Sequence, residues 1–305
     1  MPTLIGDIGG TQARFALAAD GAYGQVVVLR VAEHATPQAA MRVALARLGP
    51  ATRCVLAIAG PVLAGAARLT NAGWTFDAPA LAAEFGFDAC DLVNDLEAMA
   101  WSLPALTPAD VESWQAGEAV ADAPCAIIAP GTGLGVGGFW GRALATEAGH
   151  AGFAPRDATE AALLGWLQAR QGAVCAEDLL SGLGMVTLHA GLAALRGKAA
   201  PQREAGAIAA AARAGCPLAR EAVEVFGRAL GGFCGDVALM LGARGGVYLA
   251  GGVAQALADI LPREGLLQRF QDRPRMRDYL AQVPVRLVTH PQPGLLGLAR
   301  LTLRT

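Results

Sequence analysis

LIGDIGGTQARFAL, residues 4–17, places a glycine-rich segment between two apolar runs near the start of the chain. The runs Thr3-Leu4-Ile5 and Arg14-Phe15-Ala16-Leu17 have the composition of buried strands. The segment between them, Gly6-Asp7-Ile8-Gly9-Gly10-Thr11, is rich in residues typical of turns. The stretch therefore predicts a strand, a glycine turn and a second strand.

The same order of features returns at residue 126. Ala126-Ile127-Ile128 is apolar, Gly131-Thr132-Gly133-Leu134-Gly135 is glycine-rich, and a third segment runs from Val136 to Trp140. Two strand–turn–strand segments in one chain indicate a duplicated architecture. Gly133, Gly135 and Gly138 also match the GxGxxG pattern, but in a dinucleotide-binding fold that pattern opens a helix. Because it leads here into a strand-like segment, we reject the dehydrogenase interpretation.

Strands and helices are expected to alternate along much of the chain. Thr36 can cap a helix that starts at Pro37 and stops at Gly49. Residues 54–59 and 91–95 read as buried strands, and the second delivers Asn94 and Asp95 at its carboxyl end. The pattern predicts an α/β fold with a parallel-rich sheet. Residues 104–124 read as a loop, where we expect a domain boundary, and residues 159–243 read as largely helical.

Composition excludes several classes of protein. The 305 residues are 54% hydrophobic and 16% charged, which rules out a disordered chain. With 24 basic and 26 acidic residues, the formal charge is 24 − 26 = −2, so no basic excess is present for binding nucleic acid. The first residues lack the pattern of a secretory signal, and no run predicts a membrane span. Six scattered cysteines indicate buried, reduced thiols in a cytoplasmic protein.

Lysine is almost absent, and this restricts how a nucleotide could be bound. Lys198 is the only lysine, and its surroundings do not form the GxxxxGK[ST] pattern of a P-loop. The strand lysine and catalytic loop of protein kinases are also absent from the sequence. If this chain binds a nucleotide, backbone N–H groups must therefore hold most of the phosphate charge. Two glycine turns can do so. Asp7 beside a phosphate would repel it when alone, but with Mg²⁺ present Asp7 could hold the cation, usually through water.

A group of polar residues outside the glycine turns can recognise a neutral polyol. Carboxylates, amides and imidazoles accept and donate hydrogen bonds to paired hydroxyls, and a carboxylate beside a reacting hydroxyl can take its proton. The alternative for each residue is an ordinary one, such as a helix cap at Asp95 or a solvated side chain elsewhere. The candidate residues are Asn94, Asp95, Glu147, His150 and Glu177.

Eight stretches give the chain a resemblance to a known family. They are LIGDIGGTQARFAL, LTNAGWTF (residues 69–76), LVNDLEAMA, APGTGLGVG, TEAGHAGFAP, AEDLLSGLG, GGVYLAGGV and HPQPGLLGLARL. In these stretches, and in this order, the chain resembles the bacterial ATP-dependent glucokinases of the hexokinase/actin-like ATPase superfamily. Because the eight blocks run from Leu4 to about Leu301, the resemblance is specific.

The resemblance implies a two-domain actin-like ATPase (ribonuclease H-like) fold with a deep inter-domain cleft. It implies a small α/β domain of residues 1–104 and 291–305 and a large one of residues 105–290. It also implies phosphate-binding turns at Gly6 to Thr11 and at Gly131, Thr132 and Gly133, and an adenosine-side segment at Gly251-Gly252. Asn94, Asp95, Glu147, His150 and Glu177 match the family's glucose-binding residues, with Asp95 as the catalytic base. The implied ligands are D-glucose, ATP and Mg²⁺, the metal held by Asp7 through water, and a homodimer is expected.

Three points bear on this resemblance. The related repressor/open-reading-frame/kinase (ROK) family shares the first glycine turn, but its CxCGxxGC zinc motif is missing from this sequence, so we expect no structural zinc. We expect a final helix that is shorter than is usual in the family, which bears on the packing of the small domain but not on the site. The alternatives left open are a kinase for another hexose or amino sugar, a catalytically silent sugar sensor, and a polymerising actin-like ATPase.

Overall fold

The structure is a computed structural model that describes residues 2–69 and 73–303. Residues 70–72, inside the LTNAGWTF block, lie outside the described residues. The strands are β1 (Thr3–Ile8), β2 (Gln12–Ala19), β3 (Ala22–Tyr23), β4 (Val27–Arg30), β5 (Arg53–Ile58), β6 (Val62–Leu63), β7 (Ala66–Arg68), β8 (Thr75–Asp77), β9 (Ala89–Asn94), β10 (Val111–Gln115), β11 (Cys125–Pro130), β12 (Leu134–Phe139), β13 (Ala143–Thr146), β14 (Gly246–Leu249) and β15 (Val285–Val288).

The α-helices alternate with these strands and also form a long helical segment after β13. They are α1 (Pro37–Leu48), α2 (Ala78–Phe85), α3 (Asp95–Ser102), α4 (Ala158–Gln171), α5 (Gly182–Leu195), α6 (Ala205–Arg213), α7 (Pro217–Leu241), α8 (Gly252–Leu257), α9 (Arg263–Gln271), α10 (Arg277–Ala281) and α11 (Pro293–Leu301). The predicted alternation of strands and helices and the helical content of residues 159–243 are confirmed. In the part of the chain that is described, no helix combines the length and apolar composition needed to cross a membrane.

Contacts between Cα atoms divide the chain into two compact units. The first comprises Met1–Thr107, Gly141–Ala145 and His290–Thr305, and the second comprises Pro108–Trp140 and Thr146–Thr289. The end of the chain therefore belongs to the same unit as its beginning.

Both large sheets are built in the same order. In the first sheet, β2 pairs antiparallel with β1, and β5 and β9 add in parallel on the other side of β1. In the second sheet, β12 pairs antiparallel with β11, and β14 and β15 add in parallel on the other side of β11. This shared topology supports the duplication inferred from the two glycine-rich segments. Both sheets are mixed because each begins with an antiparallel hairpin.

The first glycine turn is shorter than the sequence predicts. Gly6, Asp7 and Ile8 continue β1, and only Gly9, Gly10 and Thr11 form the turn. Gly6 is enclosed by β2 and β5, and a Cβ there would lie 2.7 Å from a side-chain carbon of Leu56. Glycine at this position therefore allows close packing inside the sheet and is not part of a turn.

Two other segments differ from the expectation. Asp95 does not end a strand, because β9 ends at Asn94 and α3 begins at Asp95 without an intervening loop. Residues 104–124 are not loop throughout, because Val111–Gln115 pairs antiparallel with Val285–Val288. This pairing joins segments about 170 residues apart, so it cannot be predicted from a local sequence pattern.

The sheet of the first unit is covered on both faces. Ala40, Met41 and Ala44 of α1 pack on the face that carries Leu4 and Ile8, whereas Ala98, Leu295 and Leu298 of α3 and α11 pack on the face that carries Ile5. Because side chains alternate along a strand, Asp7 points to the same face as Ile5, under α11. The short terminal helix is therefore part of the core of this unit.

The start and end of α1 predicted from its capping residues are confirmed. Thr36 Oγ1 accepts a hydrogen bond from the N–H of Ala39 at 3.2 Å, Pro37 is the first helical residue, and Gly49 follows the last one with φ +102°. In the GxGxxG segment, Gly133 lies in the turn before β12, and Gly135 and Gly138 lie in β12, so the rejection of a dinucleotide-binding helix is confirmed. All six cysteines are free thiols, but only Cys54 and Cys234 are fully buried.

Candidate active site

In the first unit, the first glycine turn, Gly60 and Asn94 lie at the carboxyl ends of three parallel strands. The turn Gly9–Thr11 follows β1, Gly60 follows β5, and Asn94 ends β9. Ile8 pairs with Ile58, which pairs with Asn94, so the three strands end at the same level. Open α/β sheets bind their ligands at this edge. Asn94, Asp95 and the first glycine turn are thus brought together within one unit.

Asn94 uses both ends of its side chain to fix the start of α3. Its Nδ2 donates to the carbonyl oxygen of Gly60 at 3.0 Å, and its Oδ1 accepts from the N–H of Leu96 at 2.8 Å. Asn94 is therefore the helix cap, a role that the sequence analysis had considered for Asp95. Gly60, with φ +148°, provides the anchoring carbonyl and was not identified from the sequence.

Glu97 also stabilises the start of α3, and it was not identified from the sequence. Its carboxylate accepts a hydrogen bond from the backbone N–H of Asn94, so Asn94 and Glu97 form a capping box. Burial raises the pKa of the Glu97 carboxyl above its usual value, and the hydrogen bond from Asn94 opposes this shift. The spacing Asn-x-x-Glu at the start of α3 is the sequence signal that could have revealed it.

Asp95 is the first residue of α3 and is partly exposed. Its Oδ1 accepts a hydrogen bond from the N–H of Leu96 at 2.9 Å, the same N–H that bonds Asn94. The backbone of the first helical turn therefore fixes the direction of the carboxylate. A base held in this way at a sheet edge can accept a proton from a ligand hydroxyl.

Asp7 lies beside the start of α11 within the same unit. A Cβ at Gly294 would lie 2.9 Å from Asp7 Oδ2, so the glycine makes room for the carboxylate. Burial raises the pKa of the Asp7 carboxyl, and the charge of Arg14 opposes that shift.

The residues around Asp7 fit a Mg²⁺ ion that is bound mainly by phosphates and water. Among the described residues, no group of three or more Asp, Glu, His or Cys side chains is placed to hold a metal. Mg²⁺ commonly uses one or two carboxylates together with waters and substrate phosphates. A single partly exposed carboxylate beside a glycine turn matches that donor set.

In the second unit, the second glycine turn and the Gly251-Gly252 segment lie side by side. They follow the neighbouring parallel strands β11 and β14. Gly251 has φ +82°, and a Cβ there would lie 2.5 Å from the carbonyl oxygen of Pro130. Only glycine allows this backbone conformation and this close approach. Gly252 then begins α8.

The turn Gly131–Gly133 is held by backbone hydrogen bonds. The N–H of Gly131 donates to Gly133 O at 2.8 Å, and the N–H of Gly182 donates to Gly131 O at 2.8 Å. The backbone of Gly131 is not left-handed, and a Cβ there would meet no atom of the described residues within 4 Å. Neither packing nor backbone conformation thus requires glycine at Gly131, whereas a ligand approaching the backbone would.

Glu147 precedes a short 3-10 turn, His150 is the last residue of that turn, and both are exposed. Gly149, between them, is buried and lies so close to Leu134 that a Cβ would overlap its carbonyl oxygen. The N–H of His150 donates to Glu147 O at 3.0 Å. Gly149, which was not singled out from the sequence, therefore allows this turn to pack closely against the start of β12.

Glu177 contacts both the start of β12, directly after the second glycine turn, and the 3-10 turn. Its Oε2 accepts a hydrogen bond from the N–H of Leu134 at 2.7 Å, and its own N–H donates to Gly149 O at 3.0 Å. In the following residues, Ser181 caps α5 through the N–H of Gly184 at 2.9 Å. The second unit thus brings Glu147, His150 and Glu177 together with the second glycine turn.

These motifs have counterparts in known proteins over almost the whole chain. The family model described as "Glucokinase" matches residues 4–305. The chain belongs to the glucokinase family. The glucokinase of Chromohalobacter salexigens is 43% identical over 305 residues, which cover 97% of this chain and 96% of the relative.

Solved structures agree with this membership. The crystal structure of a glucokinase from an Antarctic psychrotroph is 32% identical, has a TM-score of 0.91, and is matched over 100% of this chain and 99% of that one. A ROK-family glucokinase from Streptomyces griseus, in complex with glucose and AMPPNP, has a TM-score of 0.68 at 20% identity over 100% of both chains. The glucokinase-family chain thus has the α/β fold of the actin-like ATPases, as expected from the sequence, and its membership indicates an ATP-dependent hexose kinase.

Proposed function

We propose that this protein transfers the γ-phosphoryl group of ATP to the 6-hydroxyl of D-glucose, giving glucose 6-phosphate and ADP. The observation that carries the proposal is the position of Asp95 at the start of α3, directly after the carboxyl end of β9. Its carboxylate is oriented by the N–H of Leu96, and the preceding Asn94 is anchored to Gly60. Membership of the glucokinase family supplies the reaction.

In this mechanism, Asp95 accepts the proton of the 6-hydroxyl as the oxygen attacks phosphorus. A positioned base contributes on the order of 10²–10⁴-fold to the rate. Asn94, Glu147, His150 and Glu177 are proposed to bind and orient the sugar. Orientation of reactants can supply roughly 7–11 kcal/mol at its upper range.

The nucleotide is proposed to be held by backbone rather than by lysine. The proposed contacts are Gly9, Gly10 and Thr11, together with the end of β1 (Gly6, Asp7 and Ile8), Gly131, Thr132 and Gly133, and Gly251 and Gly252. Asp7 would hold Mg²⁺ through water, and the ion when bound offsets the phosphate charge.

The proposed domains are residues 1–104 with 291–305, and residues 105–290. A homodimer and a cytoplasmic location stay predictions.

One coupled assay tests the proposed reaction. The protein is incubated with Mg-ATP, with and without glucose, and ADP and glucose 6-phosphate are both measured. Equal, glucose-dependent release of the two products is expected. Absence of both products, together with glucose binding in calorimetry, would indicate a sugar sensor, and ADP release that is independent of sugar would indicate an ATPase. Mannose, fructose and N-acetylated amino sugars in the same assay identify the preferred substrate, because such differences depend on details of the pocket.

A further inference from the structure

The Glu177 carboxylate has a structural task in addition to its proposed contact with sugar. Its Oε2 accepts the N–H of Leu134 at 2.7 Å, and Leu134 is only 4% exposed. Leu134 directly follows the turn Gly131–Gly133. A Cβ on Gly133 would overlap the same carboxylate oxygen. The carboxylate thus occupies the space that a side chain at residue 133 would need.

We propose that Glu177 is a positioning residue for the second phosphate-binding turn and couples that turn to the sugar-binding residues. This proposal rests on the proposed function, since it concerns the same two ligands. The coupling is local: every contact that carries it lies within the second unit, between the segment before α5, the 3-10 turn and the start of β12.

The backbone of Glu177 extends the connection to the sugar side. Its N–H donates to the carbonyl oxygen of Gly149 at 3.0 Å, and Gly149 lies between Glu147 and His150. Gly149 in turn packs against Leu134 O. A shift of the carboxylate therefore acts on the phosphate turn and on the sugar-binding turn together. A buried N–H that loses a charged acceptor is costly, so the carboxylate and the turn are expected to move as one.

Gly133→Ala and Gly131→Ala form a matched pair that tests this contact. Both change one glycine of the same turn to alanine, and neither glycine has a left-handed backbone. The new Cβ displaces the Glu177 carboxylate only in Gly133→Ala, because the space at Gly131 is open to 4 Å. Calorimetry with glucose, in the absence of nucleotide, is expected to show a Kd about tenfold higher for Gly133→Ala and within about twofold of the wild type for Gly131→Ala.

A second measurement covers the case in which Gly133→Ala fails to fold. Glu177→Gln keeps the shape and an acceptor but loses the charge, and Glu147→Gln is its control on the sugar side. Without sugar, the Kd of Mg-AMPPNP is expected to rise about three- to tenfold in Glu177→Gln and to stay unchanged in Glu147→Gln. If removal of a repelling charge dominated instead, that Kd would fall.

The outcomes separate this proposal from the proposed function. A wild-type protein that binds neither glucose nor Mg-AMPPNP overturns the proposed function. A wild type that binds both, with equal glucose Kd values in the two alanine variants or with an unchanged or lower Mg-AMPPNP Kd in Glu177→Gln, overturns the positioning role alone.

Discussion

Gly297 of α11 lies against the backbone carbonyl of Ala98 in α3, so closely that a Cβ on Gly297 would overlap the oxygen. The same Cβ would lie 2.8 Å from the backbone nitrogen of Ser102. Both partners are rigid helical backbone, three and seven residues after Asp95. The terminal helix therefore supports the helix on which the proposed base is placed.

Gly297→Ala should destabilise the first unit, because α11 must move away from α3. Overpacking of this kind typically costs about 1–3 kcal/mol, and chemical denaturation measures it. Gly165→Ala is the control, since Gly165 is exposed in α4 and a Cβ there meets nothing within 4 Å in the described part of the chain. This control should be neutral or stabilised by about 0.5–1 kcal/mol. Equal stability of the two variants would contradict the tight α3–α11 contact.

Asp95→Asn should lower kcat by roughly 10²–10⁴-fold and leave the glucose Kd close to that of the wild type. The amide has the shape of the carboxylate but cannot take a proton from the sugar. Asp91→Asn is a matched control on the preceding strand β9, where an exposed Asp91 faces Arg53 at 3.9 Å, and it should retain activity. Stopped assays give kcat, and calorimetry gives the glucose Kd. A near-normal kcat in Asp95→Asn would remove it from the role of base.

Glu147→Gln should raise the glucose KM about tenfold, with the ATP KM unchanged. The side chain is exposed at the 3-10 turn, and loss of a charged hydrogen bond to a hydroxyl costs about 1.5–3 kcal/mol. Glu118→Gln, which changes another exposed glutamate of the second unit, should leave both constants unchanged. If only the ATP KM moved in Glu147→Gln, the residue would belong to the nucleotide side.

His189 should make the stability of the protein depend on pH. It is 0% exposed in α5, and neither ring nitrogen has a hydrogen-bond partner among residues 2–69 and 73–303, so burial lowers its pKa below 6.5. The neutral ring is therefore favoured in the folded state. Its contribution to stability is fully present above pH ~6.5 and is lost as pH falls toward the folded pKa.

His189→Leu measures that dependence. Between pH 7.5 and 5.5, the wild type should lose unfolding free energy relative to the variant by at most about 1.4 kcal/mol per pH unit below 6.5. Denaturation midpoints at several pH values give the comparison. Parallel pH profiles for the two proteins would mean that protonation of His189 does not affect folding.

Local residues were sufficient to predict much of the fold. Thr36, Pro37 and Gly49 bound α1 through interactions within a few residues, and the repeated apolar–glycine–apolar segments predicted both hairpins. The resemblance to the glucokinases indicated which residues to examine, but the family match does not describe how this chain holds them. The capping box of Asn94 and Glu97 was readable from spacing, although it was not recognised.

The sequence by itself determined the α/β class, the helix limits set by caps and prolines, and the membership in a kinase family, because these depend on residues close together in the chain or on whole motifs. Only the tertiary structure decided that Gly6 lies inside a strand, that Val111–Gln115 pairs with Val285–Val288, and that Glu177 bonds Leu134. Those contacts join residues far apart in the sequence, and the packing of neighbouring strands and turns, not local propensity, selects them.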